Sequence, residues 1–155
     1  NSNKGHDGFI GNSVIGEWCN LGADTNCSNL KNNYAEVKLW NYPKKRFTKT
    51  GLQFCGLVMG DHSKCSINTM FNTGTVIGVS ANIFGAGFPR NFIPSFSWGG
   101  SAGFATYSLS KCYETSRLVM ERRNVIFDET EKNILENIFQ KSGEYRIWEN
   151  KISHK

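Results

Sequence analysis

Proline is scarce in this chain, and so is charge. Three prolines stand against sixteen glycines in 155 residues, a balance that suits a turn-rich repeat. Charged residues make up 20% and apolar residues 39%, which excludes an intrinsically disordered chain. The length sets one domain with an appendage. No Cys-x-x-Cys pair occurs among the five cysteines, so no metal site is expected. Signal peptide and long apolar runs are both missing. Neither a secreted disulfide framework nor a membrane partner is therefore expected, and the expected location is cytoplasmic. A G-x-S-x-G elbow, paired carboxylates, a Walker loop and a dinucleotide fingerprint are absent too, so the glycines serve corners rather than phosphates. The net charge of +5 comes from scattered Lys and Arg; it fits an anionic small-molecule substrate and speaks against nucleic acid.

What is present is a period of six. From Met59 to Phe84 the chain divides into hexads whose first residues are Met59, Cys65, Phe71, Ile77 and Ile83. The fifth residues are Ser63, Thr69, Thr75 and Ala81. A bulky first column and a small fifth column match neither a helical nor a strand period. They predict a parallel β-helix, a three-sided prism in which each hexad gives one short strand and one corner, with backbone pairing between coils. A second tract runs over residues 8–30, through Ile10-Gly11, Ile15-Gly16 and Leu21-Gly22. Ile10 to Ile15 is one residue short, which implies a tightened corner. Cys19 and Cys65 fall on inward columns. Because repeat-like sequence begins almost at Asn1, without a cap, the chain reads as a piece of a longer protein.

The period breaks over residues 31–56. Val37 to Trp40 alternates, Tyr42-Pro43-Lys44-Lys45-Arg46 looks like an exposed tip, and Phe47 to Gly51 leads back, which together predict a hairpin-like insertion. Over residues 85–104 the hexads are lost again in favour of Gly, Ser and aromatics. Phe84, Phe88, Phe92, Phe96, Trp98 and Phe104 are expected to cap the prism or, preferably, to pack on a neighbouring subunit. The β-helix is thus assigned to residues 1–105 and a C-terminal helical arm to 106–155. In the arm, Leu109, Cys112, Tyr113, Ser116, Val119 and Met120 recur at helical spacing, and Asp128 with Glu131 forms a capping signature. Gly143 closes that second helix, and Arg122-Arg123 is read as a solvated face.

Candidate chemistry rests on three histidines. His154, close to the last residue, is expected to be disordered, and His62, at an outward corner, to lie on the surface. His6 stands just before the first rung, and a neutral imidazole is the natural general base for deprotonating an amine or hydroxyl that attacks a thioester. Asn20 and Asn29 are placed on successive coils, within reach of each other, where amides orient a nucleophile or stabilise developing charge.

Gly5-His6-x-x-Phe9-x-Gly11, Ile15-Gly16, Asn20-Leu21-Gly22-Ala23, Cys27-Ser28-Asn29 and Met59-Gly60-Asp61 resemble the C-terminal acetyltransferase half of bifunctional N-acetylglucosamine-1-phosphate uridyltransferase/glucosamine-1-phosphate acetyltransferases. The stretches NLKNNYAEVKLW and GDHSKCSINTMFNTGTVIGVSANIFG look like the variant in Bacteroidetes-type sugar-1-phosphate nucleotidyltransferases. The resemblance implies a left-handed β-helix, an obligate homotrimer and a site between subunits. It implies acetyl-CoA as acyl donor, a sugar phosphate as the other substrate, and an N-terminal nucleotidyltransferase domain before Asn1 that uses Mg. By position it makes His6 the catalytic base, Asn20 and Asn29 substrate-binding amides, and Ala23, Ser66 and Gly85 the lining of the acetyl-CoA groove. Phe9 and Leu30 replace tyrosines of the family pattern, Asp24 replaces a glycine, and the 31–56 excursion is longer. Two readings stay open. One is an acyl-CoA-dependent transferase acting on an amino-sugar phosphate; the other is a non-catalytic trimerising or regulatory domain of a sugar-1-phosphate nucleotidyltransferase.

Overall fold

The structure is a computed structural model that describes residues 1–149; His154 lies outside the described residues. Short strands wind in coils around one core. In chain order they are β1 (Val14–Ile15), β2 (Asn20–Leu21), β3 (Asn26–Cys27), β4 (Lys38–Asn41), β5 (Arg46–Lys49), β6 (Val58–Met59), β7 (Lys64–Cys65) and β8 (Met70–Phe71). β9 (Val76–Ile77), β10 (Asn82–Ile83), β11 (Phe92–Ile93), β12 (Ser97–Gly100) and β13 (Gly103–Thr106) follow, then α1 (Leu109–Glu121), α2 (Glu129–Ser142) and a 3-10 turn, Gly143–Tyr145.

Pairing runs between coils. The first face stacks β1-β6-β9-β11, all parallel. The second stacks β2-β7-β10-β12 in parallel, extended below by an Asn3–Asn20 bridge. The third pairs β3 with β8, extended by an Ile10–Cys27 bridge. β13 returns antiparallel on β12 and ends the parallel series. The chain is thus mainly β, with parallel sheets and two helices, an arrangement consistent with a parallel β-helix.

The hexad columns explain why these residues take these places. Met59, Cys65, Phe71, Ile77 and Ile83 are 1–5% exposed and form one cluster with Cys19, Leu21 and Cys27. Ser63, Thr69, Thr75 and Ala81 are 0–3% exposed at the crowded strand ends. There Ser63 Oγ donates to the Gly78 carbonyl (2.7 Å) and accepts from the Ala81 amide (3.0 Å), which ties adjacent coils. The tightened corner is also present: Asn3 and Asn20 are 17 residues apart, against 18 between Ser63 and Ala81.

Each corner turns at the fourth hexad position, through a left-handed residue. Trp18, Asp24, His62, Asn68, Gly74 and Ser80 have φ between 54° and 71°. A non-glycine residue resists this conformation, and here inter-coil hydrogen bonds hold it: the His62, Ser80 and Asn68 amides each donate to the coil below at 2.8 Å.

The excursion is the expected hairpin, with β4 antiparallel to β5. It folds back on the first face instead of projecting freely. Trp40 stacks on Phe92 (centroids 4.1 Å, planes 10° apart), and Tyr42 and Tyr145 complete an edge-to-face cluster. Glu17 and Asp61, equivalent on adjoining coils, are 44 residues apart because of it. A Leu30–Phe54 bridge closes its base, and the Cys55 amide donates to the Asn29 carbonyl at 2.9 Å.

Both helices form as the spacing predicts. Asp128 caps α2, accepting from the Glu131 amide at 3.0 Å, and Gly143 follows its last residue. They pack on the corner column that contains Ser80 and Phe96, through Cys112, Leu135 and Phe139. That packing overturns one expectation and narrows another. His62 is 4% exposed, not a surface residue, because its corner belongs to the column that stacks on Trp18 and lies toward the helices. The aromatic run is not reserved for a neighbour: Phe96 is fully buried beneath the helices, Phe92 sits against Trp40, and Phe104 packs on the coil core. Phe84, Phe88 and Trp98 remain exposed.

Candidate functional site

Most of the candidate residues lie at or beside the corner between the second and third faces. His6 lies there on the lowest coil, after the Asn3–Asn20 bridge, with its side chain exposed rather than pressed against an aromatic ring. Its turn is fixed on both sides. Lys4 Nζ donates to the His6 carbonyl at 2.7 Å and also reaches the Asp7 carbonyl. The Asp24 amide donates to the Asp7 carbonyl at 2.7 Å. Gly8 follows at φ 118°, where a Cβ would lie 2.1 Å from the Thr25 carbonyl oxygen, so only glycine fits.

Ala23 occupies the same corner one coil up, and the Asn68 amide donates to its carbonyl at 2.8 Å. Ser66 adjoins that corner on the next coil, its amide donating to the Ile83 carbonyl at 2.9 Å and its Oγ directed to the Ile67 carbonyl. Gly85 takes the corner above at φ 97°, exposed, with no atom within 4 Å of where a Cβ would stand. His6, Ala23, Ser66 and Gly85 therefore share one edge of the prism, with successive coils about 4.8 Å apart.

The asparagines divide. Asn20 is exposed on β2, on the second face just before this corner, with Asn3 Nδ2 3.5 Å from its Oδ1. Asn29 is not on the next coil. It sits on the same coil as Asn20, beyond the third face at the following corner, where its Nδ2 donates to Asn12 Oδ1 at 2.7 Å. A full coil takes 17 or 18 residues, and these two are separated by one face only. One chain brings His6, Asn20, Ala23, Ser66 and Gly85 together and leaves Asn29 apart.

Asn26 contributes without having been singled out. Its Oδ1 accepts from the Phe9 amide at 2.9 Å, and its Nδ2 donates to the Asp24 carbonyl and carboxylate at 3.0 and 3.1 Å. It braces the His6 turn and gives the carboxylate of Asp24 a partner. The signal available was an asparagine at the outward position that opens a strand. Phe9 is 55% exposed on the third face, and Ile67, Met70 and Phe88 are 65%, 37% and 51% exposed in the same region. Among the described residues no group of three His, Cys, Asp or Glu side chains forms a metal cluster, and no helix is long and apolar enough to cross a membrane.

No protein-family model matches this chain. Two curated proteins resemble it. One is the "Bifunctional protein GlmU" of Methanocaldococcus jannaschii, 36% identical over 73 residues, covering 47% of this chain and 17% of that protein. The other is the "Bifunctional sugar-1-phosphate nucleotidylyltransferase/acetyltransferase" of Sulfurisphaera tokodaii, 37% identical over 79 residues, covering 51% and 19%. The matched part spans less than a fifth of the length of either relative. Over about half its length, then, the chain is similar to two bifunctional proteins, one of them named as a sugar-1-phosphate nucleotidylyltransferase/acetyltransferase.

Proposed function

We propose that this chain is the acetyltransferase-like part of a sugar-nucleotide biosynthesis enzyme, a left-handed parallel β-helix that acts as a homotrimer. His6 is the general base, taking a proton from the amine of an amino-sugar phosphate as that amine attacks an acyl carbon. Asn20 holds the sugar beside it, and Asn29 serves the site of a neighbouring copy. The observation that carries this reading is the shared edge: an exposed imidazole at one end and small residues, Ala23, Ser66 and Gly85, along the rest. An extended acyl-CoA fits such an edge, since the position beside Gly85 is open. When bound, acetyl-CoA supplies the acyl group as an activated thioester.

The place of Asn29 supports an assembly of several copies. His6 and Asn29 stand on the two corners that flank the third face, and only a second copy brings such corners together. Exposed Phe9, Ile67 and Met70 give that region an apolar surface for the copy to cover.

The test is thiol release from acetyl-CoA with glucosamine 1-phosphate, using the full-length protein. General-base catalysis contributes about 10²–10⁴-fold, so His6→Ala should lose at least about a hundredfold in kcat with KM for acetyl-CoA little changed. A wild-type protein without activity removes this acceptor from consideration. A second reading, the non-catalytic trimerising domain, draws on two observations: Asn29 is already engaged by Asn12, and Phe9 offers no hydroxyl. It predicts a trimer by sedimentation, no thiol release, and nucleotidyltransferase activity indifferent to His6→Ala.

A further inference from the structure

A cleft of about 450 Å³ lies between the second face and the C-terminal end of α1. Asn3, Asn20 and Lys64 line it from the sheet, Arg122 and Arg123 from the helix, and Trp18 from the corner. No carboxylate is among its lining residues.

Among the described residues, the cations on this cleft form no ion pair. Lys64 is half-buried, and its Nζ donates to the His62 carbonyl at 2.8 Å. An ammonium carries three donors, so one carbonyl leaves it short of partners. Burial pushes the Lys64 ammonium below the usual lysine range. Elsewhere on α1 the cations are paired, Lys111 with Glu114 and Arg117 with Glu121. Arg122 and Arg123 form no ion pair among the described residues. Balancing the negative end of α1 accounts for one cation on the helix axis. It does not account for a second arginine or for a lysine on the opposing sheet. Three cations facing one space repel one another, and an anion between them removes that cost. Arginine forks match the oxygens of a phosphate. The volume lies within the range of small-molecule sites and exceeds what a bare anion fills.

We propose that this cleft binds the phosphate group of a small phosphate ester, with Arg122, Arg123 and Lys64 on the phosphate and Asn20 on the remainder of the ligand. The proposal rests on the reading above only in taking Asn20 as a substrate contact; the acyl transfer plays no part in it.

Binding is measured by calorimetry on this chain, without any acyl donor, so failure of acetyl transfer leaves the result untouched. The probes are glucosamine 1-phosphate, inorganic phosphate and uncharged N-acetylglucosamine. The phosphate ester binds, inorganic phosphate competes with it, and the uncharged sugar does not bind. Ligation by a charged donor is worth about 1.5–3 kcal/mol, so Arg122→Ala/Arg123→Ala raises Kd about tenfold or more. Lys64→Gln acts in the same direction. Because both arginines are exposed, circular dichroism of the double variant should be unchanged, which keeps the test valid if Lys64→Gln folds poorly. Lys44→Ala/Arg46→Ala on the hairpin tip removes equal charge elsewhere and leaves Kd unchanged. Absence of phosphate-dependent binding overturns the proposal, as does an unchanged Kd in the cleft variant. Equal weakening by the hairpin variant also overturns it, because attraction would then come from net charge alone.

Discussion

Two single residues set local conditions that can be measured. Gly8 holds the turn behind His6, and Gly8→Ala drives a methyl group into the Thr25 carbonyl at a left-handed φ. A cost of about 1–3 kcal/mol is expected from the backbone alone. A lower denaturation midpoint should therefore be measured for the variant. His62 is 4% exposed with its Nδ1 unpartnered, and burial lowers its pKa from 6.5 to about 4. Between those values the unfolded chain holds a proton that the folded chain does not. The stability tied to neutral His62 is complete above pH 6.5 and is lost as pH falls toward about 4, by up to about 3 kcal/mol. His62→Asn tolerates the same corner conformation and does not titrate. Subtracting its pH profile of stability from that of the wild type should give this slope, and identical profiles would reject the assignment.

Residue positions were legible where burial repeats. The first and fifth hexad columns announce themselves because bulky and small side chains alternate at fixed intervals. The fourth column did not. Asp24, Asn68 and Gly74 suit a left-handed corner by their own preferences, but Trp18, His62 and Phe96 adopt it only because inter-coil hydrogen bonds and helix packing impose it. Residue type at that position carries no common signal, and the burial of His62 depends on helices far along the chain. Asn29 was misplaced for a related reason: a coil is three hexads long, and only the pairing of strands shows where one coil ends.

At the scale of elements, the hairpin and the end of the arm support each other on the first face. Trp40 contacts Phe92 face to face and Phe47 and Tyr145 edge to face. Trp40→Ala should cost about 3 kcal/mol in urea denaturation. Exchange protection should fall first in β4 and β5, with the lower coils unaffected. If protection fell evenly across the coils, the hairpin would be part of the central cooperative unit. The ion pair between Lys45 and Glu144 is fully exposed and should contribute nothing measurable by comparison. The arm is further secured by Arg146, 3% exposed, which donates to Glu149 and Ser142 at 2.8 Å and lies over the Phe139 ring. The helices and the hairpin could be read from sequence through local spacing. Their docking partners could not, since aromatic residues do not record which of several apolar surfaces they meet.

For the whole molecule, the five cysteines report on integrity. All are buried thiols without disulfides, and burial raises Cys27 to about 12 and pushes Cys19, Cys55 and Cys112 up as well. Thiolates react and thiols do not. The native chain should show almost no rapid labelling by a thiol reagent at neutral pH, whereas five groups should react in denaturant. Melting temperature should be the same with and without reductant. Fast labelling of any one cysteine in the native state would mean that its coil opens independently of the others.

The closure at Leu30–Phe54 has a wider consequence. The coil leaves and re-enters at one point, so what is carried between those residues does not set the rise or the phase of the coils above. The register of the coils is thus independent of the insert's length, although its aromatics dock on the first face. A different segment whose ends meet at the same spacing would be held at the same height and bearing, making this junction a port through which the protein can be given a new outer surface without rewriting its core.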